Sequence, residues 1–202
     1  MKLSELNQIT GSPLNTEKMP VLFIGHGSPM NAIEENEFVK GWREVGETLP
    51  LPGVILCVSA HWETKGTYVT AMEEPKTIHD FGGFPQELFD VQYPVPGSPA
   101  FAAETKSIIK KTEVNLDYKW GLDHGCWSVV KHIYPGADVP VFQMSLDYCQ
   151  SAQYHFELTK DLSSLRKKGV LIIGSGNLVH NIGLVVWDIF NVPGSAFELS
   201  FR

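Results

Sequence analysis

The chain has 202 residues, of which 43% are hydrophobic and 19% charged, as expected for one folded domain and not for a disordered segment. The formal net charge of −7 provides no basic surface for phosphates, so neither nucleic acid nor an anionic membrane is an expected partner. Cys57, Cys126 and Cys149 are widely spaced and form no C-x-x-C pair, which argues against a disulfide framework or a zinc ribbon.

The sequence also predicts where the domain lies in the chain and in the cell. The longest apolar stretches, such as Val54–Val58 and Gly169–Gly174, are far shorter than the ~20 residues of a membrane span. The first twenty residues are polar, so a signal peptide is not predicted. We expect residues 1–19 to form an N-terminal arm and residues 20–202 to form a single α/β domain in the reducing cytoplasm.

Strands and helices are predicted to alternate from residue 20 onwards. The short apolar run Val21–Ile24 predicts a first strand. Ser28-Pro29 supplies an N-cap and a first-turn proline, and apolar residues follow at helical intervals over residues 31–49. The run Val54–Ser59 is apolar at every position but its last, which predicts a strand buried on both faces of a parallel sheet.

The second half of the chain continues this alternation after a loop rich in Pro and Gly over residues 74–99. Helices are predicted from Ser98-Pro99 to about residue 111, from after Gly125 to before Pro135, and over Ser151–Lys168 with Gly169 as C-cap. Strands are predicted over Pro140–Leu146 and Val170–Ile173. Strands separated by helices require right-handed crossovers. The fold class predicted is therefore α/β, with a mostly parallel central sheet and helices on both faces.

Three of the seven histidines closely follow predicted strands. His26 follows the first strand, His61 the second and His180 the last. Ligands of an open parallel sheet bind beyond the carboxyl ends of its strands, so these three side chains can converge although they are far apart in the chain. One histidine at a strand end is more often a structural residue, but three at equivalent ends predict a metal site.

The other histidines receive different interpretations. His124 lies at a predicted helix start, where the helix dipole favours the neutral ring, which can exchange hydrogen bonds with a substrate oxygen. Two interpretations of His79 stay open: a rigid Gly-rich turn, slightly favoured, or the wall of a pocket for an aromatic substrate. His132 and His155 lie in predicted helices and are interpreted as packing or surface residues.

Other chemistries have less support. Gly174-Ser175-Gly176 does not form the G-x-S-x-G turn of a serine hydrolase, and no phosphate-binding loop occurs. Cys126, close to a predicted helix start, could be a nucleophile with a lowered thiol pKa. The alternative interpretation of Cys126 is a small, buried, apolar side chain.

Six short motifs occur in a fixed order between about Met19 and Trp187. They are Gly25-His26-Gly27-Ser28-Pro29, Ser59-Ala60-His61-Trp62, His79-Asp80-Phe81-Gly82-Gly83-Phe84-Pro85, Tyr93-Pro94 with Pro96-Gly97-Ser98-Pro99, Asp123-His124-Gly125, and Ser175-Gly176-Asn177-Leu178-Val179-His180-Asn181. Together they resemble the 4,5-DOPA extradiol dioxygenase family. That family is a branch of the class III ring-cleavage dioxygenases, of the protocatechuate 4,5-dioxygenase B-subunit type.

The resemblance implies an enzyme that inserts both atoms of O₂ into a catechol, such as L-DOPA, next to its two hydroxyls. It implies that His26 and His61 are metal ligands, that His180 is a ligand or the acid/base, and that His124 contacts the substrate. We expect one divalent metal: Fe(II) for activity, since Zn(II) can occupy such a site but is redox-inert. Of the two roles, we assign that of general base to His180, and we expect His124 to orient the bound oxygen species.

The resemblance does not reach the end of the chain. The family continues for several dozen residues, through a region with a further metal-site histidine, and residues 192–202 do not match it. The C-terminal part of the family fold is therefore expected to be missing. Two other functions stay open: a non-catalytic metal- or partner-binding relative, and a zinc hydrolase that activates water with the same histidines.

Overall fold

The computed structural model describes residues 18–177. His180, expected at the metal, lies outside the described residues, as do most of the expected N-terminal arm and the C-terminal segment from residue 178. Of that arm, Met19 is described and is buried, and its backbone N donates a hydrogen bond to the Arg166 carbonyl at 3.1 Å.

The described residues form six strands, five α-helices and two 3₁₀ helices. The strands are β1 (Val21–Ile24), β2 (Val54–Thr64), β3 (Thr67–Thr70), β4 (Val114–Asp117), β5 (Val141–Asp147) and β6 (Val170–Ser175). The α-helices are α1 (Glu37–Thr48), α2 (Gln86–Phe89), α3 (Pro99–Ile108), α4 (His124–Ile133) and α5 (Ala152–Leu162), and the 3₁₀ helices are Pro29–Ala32 and Leu165–Lys168. None of these described helices is long and apolar enough to cross a membrane.

The strands form one sheet in the order β1-β6-β2-β5-β3-β4. All pairs are parallel except β3 with β5. Successive residues of the central strands face opposite sides, so Ile55 and Cys57 pack in the cluster with α1 and α4, whereas Val54 and Leu56 pack in the cluster with α3 and α5. The prediction of an α/β domain with a mostly parallel sheet and helices on both faces is confirmed.

The helix predicted over residues 31–49 is wrong in its first part. Ser28 accepts a hydrogen bond from the Met30 backbone as an N-cap, but the turn that follows is a 3₁₀ helix ending at Ala32. The α-helix α1 begins only at Glu37, because the side chain of Asn36 accepts hydrogen bonds from the two backbone N–H groups of Phe38 and Val39.

Other boundaries differ for similarly local reasons. The predicted helix over Ser151–Lys168 is two helices, α5 and a 3₁₀ helix, although Gly169 closes the second with φ 81° as the C-cap prediction required. The loop predicted over residues 74–99 contains the one-turn helix α2. The short strands β3 and β4 were not predicted. The residues of β3 (Thr67–Thr70) do not alternate between apolar and polar, and the alternation in β4 (Val114–Asp117) covers only four residues, the shortest length that indicates a strand.

Candidate metal centre

His26 lies directly after β1, where its ring is buried. Its Nδ1 is 3.0 Å from Oγ of Ser175, and that Oγ is 2.5 Å from the carbonyl oxygen of Gly125. Since a carbonyl only accepts hydrogen bonds, the Ser175 hydroxyl donates to Gly125 and accepts from Nδ1–H of His26. A neutral His26 therefore carries its proton on Nδ1 and presents the lone pair of Nε2 to the centre.

The backbone around His26 is fixed by two asparagines. The side-chain amide of Asn31 donates to the His26 carbonyl at 3.0 Å, and the backbone N of Gly27 donates to Oδ1 of Asn177 at 3.2 Å. Gly27 has φ 64°, and a Cβ there would lie 2.9 Å from Nδ2 of Asn31. The glycine is required for this turn, which aims the imidazole at the sheet edge.

His61 lies in the last part of β2, where the register with β5 shifts between Val58 and Glu63. Its backbone N donates to Oγ of Ser59 at 3.2 Å. Its ring Nε2 is 2.9 Å from Nε2 of His26, and the two ring centroids are 4.8 Å apart. The irregularity in β2 thus re-aims one side chain toward the other, as β-bulges near active sites commonly do.

His124 brings a third imidazole to the same place. It is the first residue of α4, and its ring centroid is 3.9 Å from that of His61 and 5.6 Å from that of His26. Asp80 holds it there, because Oδ1 of Asp80 accepts hydrogen bonds from both the backbone N and the ring Nδ1 of His124, each at 2.9 Å. The proton of a neutral His124 is therefore on Nδ1 as well.

Gly125 allows α4 to approach β2 this closely. A Cβ at Gly125 would lie 2.6 Å from Oγ of Ser59 and 2.8 Å from Cδ2 of His61. Both distances are shorter than any stable carbon contact, so the absence of a side chain at this position is what lets the start of α4 reach His61.

Behind the histidines, the carboxylate of Asp123 is completely buried. It accepts hydrogen bonds from Oγ of Ser59 at 2.6 Å, from the side-chain amide of Gln143 at 2.7 Å and from the backbone N of Cys126 at 3.1 Å. Asp123 is also the N-cap of α4. One carboxylate therefore joins β2, β5 and α4 beneath the site, and its polar partners offset the cost of burial.

The donor set fits a divalent cation. Ring nitrogens of His26, His61 and His124 all lie within 4.8 Å of one another. Two nitrogens that ligate one ion in neighbouring positions at ~2.1 Å are about 3 to 3.4 Å apart, close to the 2.9 Å between His26 and His61. Imidazole is a ligand that suits both iron and zinc.

Comparison with known proteins identifies the family to which the chain belongs. Residues 20–184 match the family model described as the catalytic LigB subunit of aromatic ring-opening dioxygenase. The chain belongs to this family. It is 50% identical over 175 residues to 4,5-DOPA dioxygenase extradiol of Escherichia coli K12, covering 86% of this chain and 65% of the relative.

Other relatives agree with this assignment. The 4,5-DOPA dioxygenase extradiol of Beta vulgaris is 41% identical over 165 residues, covering 78% of this chain and 61% of the relative. A crystal structure of an uncharacterized Escherichia coli K12 protein superposes with a TM-score of 0.71 at 45% identity, covering 84% of this chain and 64% of that one. The chain thus spans less than two thirds of the length of these relatives.

Within this ring-opening dioxygenase fold, the structure brings together His26 and His61 as the strand-end argument predicted. It adds His124 as a third ring; the roles predicted for that residue were contact with the substrate and orientation of the bound oxygen species. The contacts of Asp80 and Ser175 with the histidines were missed. The available signals were the adjacency of Asp80 to His79 within one motif and the serine at the end of the strand that precedes His180.

Among the described residues, Asp80 is the acidic group that faces the imidazoles most directly. Its side chain is 17% exposed. Partial burial acts to raise the pKa of Asp80, but the hydrogen bonds from His124 and the electrostatic interaction with its ring outweigh it and hold the pKa below the usual value. Asp80 is accordingly a carboxylate at neutral pH, and it lies next to the histidine rings that surround the candidate cation site.

His79 is held by the loop rather than pointed into the centre. Its Nε2 is 3.0 Å from the Val91 carbonyl, and its ring lies 5.5 to 6.1 Å from the rings of Phe81, Phe89 and Trp127. Phe81 continues this aromatic group to within 5.5 Å of His124. The rigid-turn interpretation of His79 therefore has direct structural support, while Phe81 is the aromatic side chain nearest to the histidines in this loop.

The remaining expectations concern residues outside the centre. A nucleophilic Cys126 is wrong, because complete burial raises the pKa of its thiol well above the ordinary value. His132 and His155 are packing residues as predicted, with Nε2 placed 2.9 Å and 3.1 Å from the carbonyls of Asn31 and Asp147.

Proposed function

We propose that this chain is an extradiol ring-cleavage dioxygenase that acts on a catechol such as L-DOPA with O₂. The main observation in support is the facing pair of ring nitrogens of His26 and His61, 2.9 Å apart at the carboxyl edge of the sheet. Membership of the ring-opening family and the names of the relatives support the same reaction.

One divalent metal would be held by His26 and His61. When bound, Fe(II) would bring catechol and O₂ together and exchange electrons between them, whereas Zn(II) is redox-inert. Ser175 and Asp80 keep the protons of His26 and His124 on Nδ1, away from the centre. We assign His180, outside the described residues, as the general base that takes a catechol proton, or alternatively as a further ligand.

His124 is proposed to orient the substrate oxygen. With its proton on Nδ1 and donated to Asp80, its Nε2 is available to accept a hydrogen bond from a catechol hydroxyl.

An aromatic substrate ring would pack beside Phe81. The ring of Phe81 lies edge-on to that of His124, with 5.5 Å between the centroids, and it also contacts the rings of Phe84 and Phe89, whose centroids are 5.4 and 5.1 Å away. Edge-to-face aromatic contacts at such distances stabilise a bound ring by roughly 0.5–1.5 kcal/mol beyond the burial of its surface. The aromatic group around Phe81 therefore favours the binding of an aromatic diol over that of an aliphatic one.

A second candidate is a relative that binds metal without turnover, since three ring nitrogens that lie within 4.8 Å of one another can hold a cation whether or not a reaction follows. The zinc-hydrolase candidate has less support, because the matched family and the named relatives are ring-opening dioxygenases. We further propose residues 20–202 as one domain and a cytoplasmic location, which the free state of Cys57, Cys126 and Cys149 favours.

The test is a ring-cleavage assay on anaerobically Fe(II)-loaded protein, started with L-DOPA and O₂. We expect O₂ uptake together with a yellow ring-opened product, and neither in Zn(II)-loaded protein. His61→Ala should abolish both signals, while His155→Ala, a matched change remote from the centre, should leave them intact. Retention of iron without O₂ uptake, across a panel of catechols, would favour the metal-binding relative. Hydrolysis by the Zn(II) form without O₂ would favour the hydrolase.

A further inference from the structure

We propose that Asp80 is a positioning residue that orients both His61 and His124 toward the centre. It reaches them from the loop between β3 and α2 and uses a different carboxylate oxygen for each. This inference rests on the metal site proposed above, and it assigns a function to a residue that is neither a ligand nor a substrate contact.

The contacts of Asp80 differ in strength on its two sides. Oδ1 accepts two hydrogen bonds at 2.9 Å from His124, one from the backbone N and one from ring Nδ1. Oδ2 lies 3.8 Å from Nδ1 of His61, within ion-pair range but beyond a hydrogen bond. The carboxylate therefore already fixes His124, and it faces the nitrogen of His61 that points away from the centre.

The positions of the protons explain why an acceptor is needed beside His61. Because Ser175 keeps the proton of His26 on Nδ1, the facing Nε2 atoms of His26 and His61 share a proton that belongs to His61. A cation between them needs both lone pairs. The proton of His61 must then be on Nδ1, the atom that faces Oδ2 of Asp80. A carboxylate at this place favours the tautomer of His61 that can bind a metal.

A purely structural role would be the capping of α4. That helix already has its own N-cap, Asp123, which accepts from the backbone N of Cys126. Asp80→Asn separates the two roles. The amide oxygen of Asn can still accept from the backbone N of His124, but its amide nitrogen donates, and a donor facing Nδ1 of His61 favours the wrong tautomer.

The first experiment is a titration of the full chain with Zn²⁺ and with Co²⁺ against a competing chelator, without catechol or O₂. We expect Asp80→Asn to weaken binding by about 10- to 100-fold, as loss of a carboxylate behind a ligating histidine commonly does. Asp80→Glu should recover part of the loss. The matched control is Asp90→Asn, which removes the same charge from an exposed residue of the same region and should bind within about twofold of wild type.

The second experiment reads the tautomers directly in metal-free, ¹⁵N-labelled protein by long-range ¹H–¹⁵N NMR. His124, assigned by the signal lost in His124→Gln, should be the Nδ1–H tautomer in wild type. It should keep that tautomer in Asp80→Asn, whose amide oxygen can accept in place of Oδ1, and should lose the preference in Asp80→Ala, which has no acceptor. An Nε2–H tautomer in wild type overturns the proposal, as does unchanged affinity in Asp80→Asn or an equal loss in Asp90→Asn.

These arms also separate this inference from the proposed function. If Asp80→Asn fails to fold, as judged by circular dichroism, Asp80→Glu and the wild-type spectrum decide. A chain that binds Zn²⁺ with the expected dependence on Asp80 but cleaves no catechol leaves the inference intact and rejects the oxygenase. Ring cleavage with unchanged metal affinity in Asp80→Asn does the reverse.

Discussion

His26 and His61 meet across an intervening strand. Their Nε2 atoms are 2.9 Å apart, although His26 follows β1, His61 belongs to β2, and β6 lies between these two strands in the sheet. The residues at the end of β6, over which the two histidine rings meet, have small side chains or none. A Cβ at Gly176 would lie 3.3 Å from Cβ of Ala60, and Ser175 contributes its hydroxyl to His26. The small residues at 174–176 thus leave room for two imidazoles above the sheet edge.

This crossing predicts how metal binding depends on each ring. Because His26 and His61 each supply one of two facing nitrogens, His26→Ala and His61→Ala should each weaken Zn²⁺ binding by more than about 100-fold, beyond the effect expected for an outer residue. The measurement is a chelator-competition titration. His155→Ala, whose ring contacts the Asp147 carbonyl, is the control and should bind like wild type. Normal affinity in either of the first two variants would remove that residue from the metal site.

The sequence could predict this pair because both rings follow apolar runs. A buried parallel strand has a continuous hydrophobic signal, and its carboxyl end is where ligands bind, so His26 and His61 could be located without any knowledge of packing. The same reasoning located the end of β6, where Ser175 lies.

The positions of the other two residues of the centre, His124 and Asp80, depend on how distant elements pack together in the folded chain. His124 reaches His61 only because α4 packs against β2 at Gly125, and Asp80 reaches both from a loop without periodic pattern. Neither contact leaves a signal in local spacing. The start of α1 was predicted too early for a different reason. Its N-cap, Asn36, lies inside a segment whose apolar residues already have helical spacing, so the spacing does not reveal where the helix begins.

The close packing at Gly125 predicts a specific defect. Gly125→Ala places a Cβ 2.6 Å from Oγ of Ser59 and 2.8 Å from Cδ2 of His61, so α4 or β2 must shift. We expect a loss of about 1–3 kcal/mol in the free energy of unfolding, together with weaker Zn²⁺ binding. Urea denaturation and the chelator titration measure the two effects.

A second glycine provides the control for that substitution. A Cβ at Gly41, in the middle of α1, meets nothing within 4 Å. Gly41→Ala should therefore gain about 0.5–1 kcal/mol from helix propensity and leave metal binding unchanged. Equal stability of the Gly125→Ala and Gly41→Ala variants would contradict the proposed packing of α4 on β2.

His132 predicts a pH dependence of stability that is independent of the metal. Burial lowers its pKa, only partly opposed by the hydrogen bond to the Asn31 carbonyl, so the folded chain resists protonation at this ring. The unfolded chain takes up the proton near the ordinary value of ~6.5. Stability is therefore full above that pH and falls as the pH drops below it.

The measurement is urea denaturation at pH 8 and pH 5.5 for wild type and His132→Gln. Gln can still donate to the Asn31 carbonyl but does not titrate. Wild type should lose more stability than the variant between the two pH values. An identical loss in both proteins would show that His132 does not contribute to the acid sensitivity.

Ser175 links the orientation of His26 to the packing of α4, so its hydroxyl should matter for both stability and metal binding. Ser175→Ala removes the acceptor for Nδ1–H of His26 and the donor to the Gly125 carbonyl, both in a buried place. We expect a loss of about 1–3 kcal/mol from the polar groups left behind, and weaker Zn²⁺ binding because His26 loses the contact that fixes its tautomer. Ser107→Ala, which removes only an exposed hydrogen bond to the Glu104 carbonyl, is the control. If Ser175→Ala keeps the metal affinity of wild type, the orientation of His26 must be fixed by another contact.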